Sequence, residues 1–249
     1  MTRILSLRQG TQADLDLILA MIEEAADWLR TKNTDQWARP WPSARKRDER
    51  VWRGLRDRKT WIAMDENIPV ATITCREEGH PRLWSAGDQA IPAAYVSRLI
   101  VSRAYGGQGI GESLVDWAGL CAFRCWRAQW VRIDVWTTNE TLHGYYKEKG
   151  FQHVKTRHEL EGRYPSAALF QKPTSEISPA ACERFVIVEP GGDIPQESPG
   201  LAMARNLVMA SDVPVAPDLV MASDVSIAPD LVMAPEVYRA MQASVAETR

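Results

Sequence analysis

The residues with the clearest chemical use are the glycines of Tyr105-Gly106-Gly107-Gln108-Gly109-Ile110-Gly111. Without side chains in the way, an anionic group can approach the backbone N–H donors directly. The run follows Tyr95-Val96-Ser97-Arg98-Leu99-Ile100-Val101, apolar and β-branched enough for a buried strand, and precedes a stretch in which Leu114, Trp117, Ala118 and Cys121 recur at helical spacing. A strand, a glycine loop and a helix N-terminus bring free amides and the positive end of the helix dipole together, which suits a phosphate. Spacing narrows the phosphate ligand. There is no Gly-Lys-Ser/Thr ending, so the nucleoside-triphosphate loop is excluded; Glu112 stands where the third glycine of a dinucleotide fingerprint belongs, so that pattern fails too. A second group is Asp134, inside the apolar run Trp130-Val131-Arg132-Ile133-Asp134-Val135-Trp136. A carboxylate in a core strand is costly unless it pairs, with Arg98 for example, or takes part in proton transfer. Both readings stand. Glu77, Glu78 and Asp88, in the loop before the central strand, are weaker candidates for a base.

The elements around these groups follow from patterning. Ile4 to Arg8 reads as a strand, and Thr11 with Asp14 opens a helix whose stripe is Leu15, Ile18, Leu19, Ile22, Ala25, Ala26 and Leu29. Two prolines in Pro40-Trp41-Pro42 stop any helix, and a basic helix starts after Ser43. Trp61–Met64 and Val70–Cys75 flank Asp65-Glu66-Asn67 as a hairpin. Asn139 can cap a helix that ends at Gly150, a residue suited to a left-handed C-terminus. Strands starting at Phe151 and Ala167 complete the order β-α-α-β-β-β-α-β-α-β-β.

From about Thr2 to Lys172 the chain resembles the Gcn5-related N-acetyltransferase (GNAT) family. Its pyrophosphate loop, Q/R-x-x-G-x-G/A, is matched by Gly109 and Gly111, while Gly106 departs from the usual Gln or Arg and removes one side-chain contact. The later motif, an Asn and then a helix ending Tyr-x-x-x-Gly-Phe, is matched by Asn139, Tyr146, Gly150 and Phe151. A Trp-Leu…Gln-Trp…Pro-Trp-Pro segment, as in a bacterial subgroup, is matched by Trp28-Leu29, Gln36-Trp37 and Pro40-Trp41-Pro42.

The resemblance implies an α/β fold with a mixed central sheet flanked by helices, and an acyltransferase that moves an acetyl group from acetyl-CoA, or another acyl group from its CoA ester, to an amine of a small molecule. It implies cofactor contacts from Leu99, Ile100 and Val101 on the central strand, from Gly106, Gly107, Gln108, Gly109, Ile110 and Gly111 in the loop, and from Asn139 and Tyr146. Tyr146 is the implied proton donor to the departing thiolate, and Asp134 a candidate base. Trp28, Trp37, Trp41 and Trp84 are candidates for the acceptor pocket, where indoles could cage a cationic or flat group. Alternatives stay open: a carrier-protein thioester as donor, a protein N-terminus or lysine as acceptor, or a CoA-binding module without catalysis. A homodimer and a carrier-protein partner stay open as well.

Composition bounds the rest. All ten tryptophans lie between Trp28 and Trp136. Residues 174–249 hold 4 Lys and Arg against 11 Asp and Glu, and the remainder holds 26 against 21. A body at net +5 suits a polyanionic cofactor but is too diffuse for nucleic acid. Cys75, Cys121, Cys125 and Cys182 make neither a disulfide framework nor a metal site, and the start lacks an apolar signal core, so a reduced, cytoplasmic protein is expected, with no metal and no membrane partner. The expected division is an acyltransferase domain at 1–173 and an acidic, flexible tail at 174–249. That tail repeats every twelve residues over 207–237, as in LVMASDVPVAPD and LVMASDVSIAPD, a low-complexity extension.

Overall fold

The computed structural model describes residues 3–160 and 164–188; the repeats at 207–237 lie outside the described residues. Eight strands form one sheet in the order β6-β7-β5-β4-β3-β2-β1-β8. They are β1 (Leu5–Gln9), β2 (Thr60–Asp65), β3 (Ile68–Arg76), β4 (Ala93–Val101), β5 (Trp130–Val135), β6 (Gln152–Thr156), β7 (Ala168–Pro173) and β8 (Phe185–Val188). β4 runs parallel to β5 and β1 parallel to β8, and every other pairing is antiparallel. The helices are α1 (Leu15–Arg30), α2 (Ala44–Arg56), the single turn α3 (Ala86–Gln89), α4 (Ile110–Trp126) and α5 (Glu140–Glu148). No helix among the described residues is long and apolar enough to cross a membrane.

Alternation along β2 shows how the layers form, because successive side chains of a strand point to opposite faces. Trp61 and Ala63 join a core with α4, whereas Ile62 joins a core with α1 and α2. Trp61 meets Trp117 of α4 edge-on, with ring centroids 5.0 Å apart. Local signals set the helix starts. Thr11 and Asp14 form the reciprocal capping box, Ser43 caps α2 by accepting from the Lys46 N–H, and Asn139 caps α5 by accepting from the Leu142 N–H at 3.0 Å.

The sheet continues past residue 173, where the sequence reading ends the body. Thr174 Oγ1 donates to the Ala128 carbonyl at 2.8 Å, the 3₁₀ segment Pro179–Arg184 packs along α4, and β8 then lies beside β1 with Leu5 opposite Phe185. Phe185 and Ile177 are buried in the α4-side core, so this stretch shares that core rather than joining the tail. Its strand is only four residues long and has no tryptophan, which is why composition alone assigns it elsewhere.

Candidate functional site

The central feature is the separation of two parallel strands. β4 and β5 pair from Ala93↔Trp130 to Val96↔Ile133 and no further. At that point β4 carries a bulge: Ser97 faces Thr74 and Ile100 faces Thr72, so three steps of β4 match two of β3. Arg98 takes the extra position with φ at 48°, a left-handed backbone that a long L side chain adopts only under tertiary constraint. The bulge turns β4 away from β5. Ile100 and Val101 stay paired with β3, while Asp134 and Val135 pair with Leu169 and Ala168 of β7. The edges of Leu99, Ile100 and Val101 on one side and of Asp134 on the other therefore face a gap, with no strand between them among the described residues.

The glycine loop closes one end of that gap. Gly107 and Gly109 have φ values of 75° and 68°, conformations a side chain would strain. Gly109 is also the N-cap of α4, and no side chain caps that end among the described residues, so the first helical amides point outward. Gly106 is an exception within the expected loop: its N–H donates to the Arg103 carbonyl at 3.1 Å and is already used. Among the described residues, the loop amides without a backbone partner outside the helix begin after it.

Arg184, which the sequence reading did not single out, reaches this loop from the segment before β8. Its Nη1 donates to Ser113 Oγ at 3.2 Å, and lies 3.7 Å from where a Cβ on Gly109 would sit. The side chain is about 9% exposed, and its Nε has no hydrogen-bond partner among the described residues. A buried, half-satisfied guanidinium beside an uncapped helix N-terminus fits a phosphate. No periodicity marks Arg184, because a remote segment brings it in.

Tyr146 lies on the inner face of α5, about 1% exposed. Its ring packs against Tyr145, Phe151 and Phe170, and its hydroxyl has no hydrogen-bond partner among the described residues. Burial raises its pKa well above the ordinary tyrosine value, so it carries its proton at any working pH. Asn139 is engaged at both ends of its amide: Oδ1 caps α5 and Nδ2 donates to Gln36 Oε1 at 2.6 Å.

On the opposite face of the sheet, towards α1 and α2, three cavities adjoin. A cavity of about 80 Å³ is lined by Trp37, Trp41, Trp136 and Pro165 together with Arg39 and Arg98. Trp41, Trp136 and Pro165 also border an open cleft of about 500 Å³ with Tyr164 and Thr137. A third, of about 30 Å³, holds Arg50, Arg53, Arg76, Arg98, His80 and Asp134. Arg98 borders both the first and the third, so the bulge residue joins them. Burial and the nearby Arg82 push the His80 pKa down to about 4, so it is neutral there.

The four expected pocket tryptophans divide. Trp37 and Trp41 line the cavity, and Trp136 joins them. Trp28 instead packs on the α1–α2 core and stacks under Arg103, 3.9 Å from the guanidinium to the ring centre. Trp84 is fully buried against Tyr95 and Arg132 and lines none of these three cavities. Its place in a polar loop does not reveal which face the loop folds onto.

Residues 22–151 match the acetyltransferase (GNAT) family. An uncharacterized N-acetyltransferase of Bacillus subtilis, YesJ, is 24% identical over 142 residues, spanning 56% of this chain and 77% of that protein. A GNAT-family acetyltransferase from Listeria monocytogenes superposes with a TM-score of 0.56 at 19% identity, covering 68% of this chain and 94% of that one.

Proposed function

The chain belongs to the acetyltransferase (GNAT) family, and we propose that, as an N-acyltransferase using acetyl-CoA, it acetylates an amine on a small molecule. The observation that carries this reading is the β4–β5 gap, which has an uncapped glycine loop at one end and an aromatic cavity joined to it through Arg98. The aromatic cavity and the cleft beside it are concave and on the scale of a small acceptor.

The residue roles are proposals on this geometry. The amides from Gly107 to Gly111, with Arg184, bind the phosphates of the donor. Backbone N–H groups on the open edge of β4, near Leu99 and Ile100, hold the pantetheine arm and polarise the thioester carbonyl through a fixed dipole. Acetyl-CoA supplies an acyl carbon joined to a good leaving thiolate. Asp134, directly or through water, takes a proton from the acceptor's ammonium so that a neutral amine attacks. The C–N bond forms as the C–S bond breaks; the Tyr146 hydroxyl donates its proton to the departing sulfur, and the proton lost by the newly acylated nitrogen restores the phenol. Asn139 acts here as the cap that fixes α5, and hence Tyr146, over the gap. The test is thiol release from acetyl-CoA by purified protein, with and without a panel of amines; release that depends on the amine supports the reading.

A further inference from the structure

The aromatic cavity has walls of Trp37, Trp41, Trp136, Ile22, Ala26 and Pro165, and its indoles come from two segments remote in sequence. Each indole is held by its own neighbours. Trp136 donates from Nε1 to Asp35 Oδ1 at 2.9 Å, and Thr138 Oγ1 donates to the same oxygen at 2.5 Å. Trp41 lies against Tyr164, with ring centroids 5.4 Å apart, and beneath the Arg50 guanidinium, 5.3 Å from its ring centre. Trp37 has φ at 58°, a left-handed backbone that a bulky side chain adopts only where its surroundings impose it, and packs on the α1–α2 core. Walls fixed in this way lose little freedom when a ligand binds.

The charged groups around this cavity are mostly engaged already. Arg47 pairs with Glu23 and, at 2.8 Å, with Asp48; Arg30 pairs with Asp27; and Arg98 donates from Nε to Thr74 Oγ1 at 3.4 Å. Arg39 is exposed, and Asp35 in the adjoining cleft serves Trp136 and Thr138. What the interior offers an incoming group is therefore apolar surface. A second ammonium would meet four lining arginines against the single lining carboxylate of Glu23, and a carboxylate would lose its water against indoles. An uncharged group meets neither cost. The volume of about 80 Å³ is well below the roughly 150 Å³ of a dry protein cavity that holds benzene, so it suits a compact aliphatic group.

We infer that the acceptor is a primary amine with a compact, uncharged aliphatic group, which seats among Trp37, Trp41 and Trp136 while the amine lies towards Arg98 and the β4–β5 gap. This rests on reading the α1–α2 face as the acceptor side of an N-acetyltransferase. It replaces the cationic occupant that a group of indoles alone would suggest, because the surrounding arginines oppose a second positive charge.

The experiment compares isopentylamine, putrescine and β-alanine, which have equal numbers of non-hydrogen atoms. They differ in whether the end remote from the reacting nitrogen is apolar, cationic or anionic. Thiol release from acetyl-CoA gives kcat/KM for each, and calorimetry gives acetyl-CoA affinity. Isopentylamine is expected to lead by about ten-fold or more, the scale of burying about three carbons. In Trp37→Ala that lead should shrink through KM, with acetyl-CoA affinity unchanged. Ala38→Glu, at an exposed position bordering both cavity and cleft, is the companion variant if Trp37→Ala does not fold, and its new carboxylate should shrink the lead over putrescine. Equal or better use of putrescine or β-alanine would overturn the inference while leaving N-acetyl transfer intact. A lead left unchanged in whichever variant folds would overturn the seat, and with it the inference. Failure of isopentylamine, with acetyl-CoA bound, would overturn it as well. Failure to bind acetyl-CoA at all would remove the donor reading, and the inference with it.

Discussion

Tyr146 combines full burial, an unpartnered hydroxyl and a raised pKa, which together describe a group kept protonated and ready to donate. Tyr146→Phe keeps the ring packed on Phe151 and Phe170, so stability and acetyl-CoA affinity should hold while kcat falls by roughly 10²–10⁴-fold. Tyr145→Phe is the control, with a small loss expected; comparable losses at both positions would reduce Tyr146 to packing. His80 gives a pH prediction. Its folded pKa is about 4 against an ordinary 6.5, so the unfolded chain binds more protons between those values. Stability should therefore fall as pH drops from 6.5 towards 4, and His80→Gln should flatten that part of a Tm profile. Tyr146 and the loop glycines stand out as candidates in the sequence because they fall in motifs, and Asp134 because it is an acid in an apolar strand. Arg98, Trp136 and Arg184 stand out less. An arginine inside an apolar strand does not announce a bulge, and Arg184 acts from a segment outside any motif.

Among elements, the β4 bulge and the segment from Thr174 to β8 do the positioning that local sequence does not encode. The bulge opens the gap, whereas strand periodicity alone predicts an uninterrupted β4. The segment after residue 173 brings Arg184 to the glycine loop and adds β8 to the sheet. Arg184→Ala should weaken acetyl-CoA binding by about ten-fold, the loss of one charge-assisted contact, with the fold intact by circular dichroism. Unchanged affinity in calorimetry would limit Arg184 to its bond with Ser113. Gly119 tests the packing of the same segment. A Cβ there would come within 2.5 Å of both Val131 Cγ2 on β5 and Ile177 Cδ1 after β7. Gly119→Ala should cost about 1–3 kcal/mol by overpacking, despite the better helix propensity of alanine. A neutral or raised denaturation midpoint would show that Ile177 moves freely.

Over the whole molecule, the sheet separates two groups of candidate residues. The α4 side carries the glycine loop and Tyr146, and the α1–α2 side carries the aromatic and basic cavities. The β4–β5 gap connects them. Element order was readable because each strand and helix has its own periodicity and cap, as Thr11, Ser43 and Asn139 show. Which side chains share a cavity was not, since Arg50, Arg76 and Asp134 meet only through sheet topology. Amine acetylation across this gap is tested by thiol release by the full chain with acetyl-CoA and amines supplied together. Release well above the amine-free rate is expected, with an N-acetylated product by mass spectrometry and loss of that increment in Tyr146→Phe at unchanged acetyl-CoA affinity. Thiol release no faster with any amine than without, by protein that binds acetyl-CoA, would contradict it.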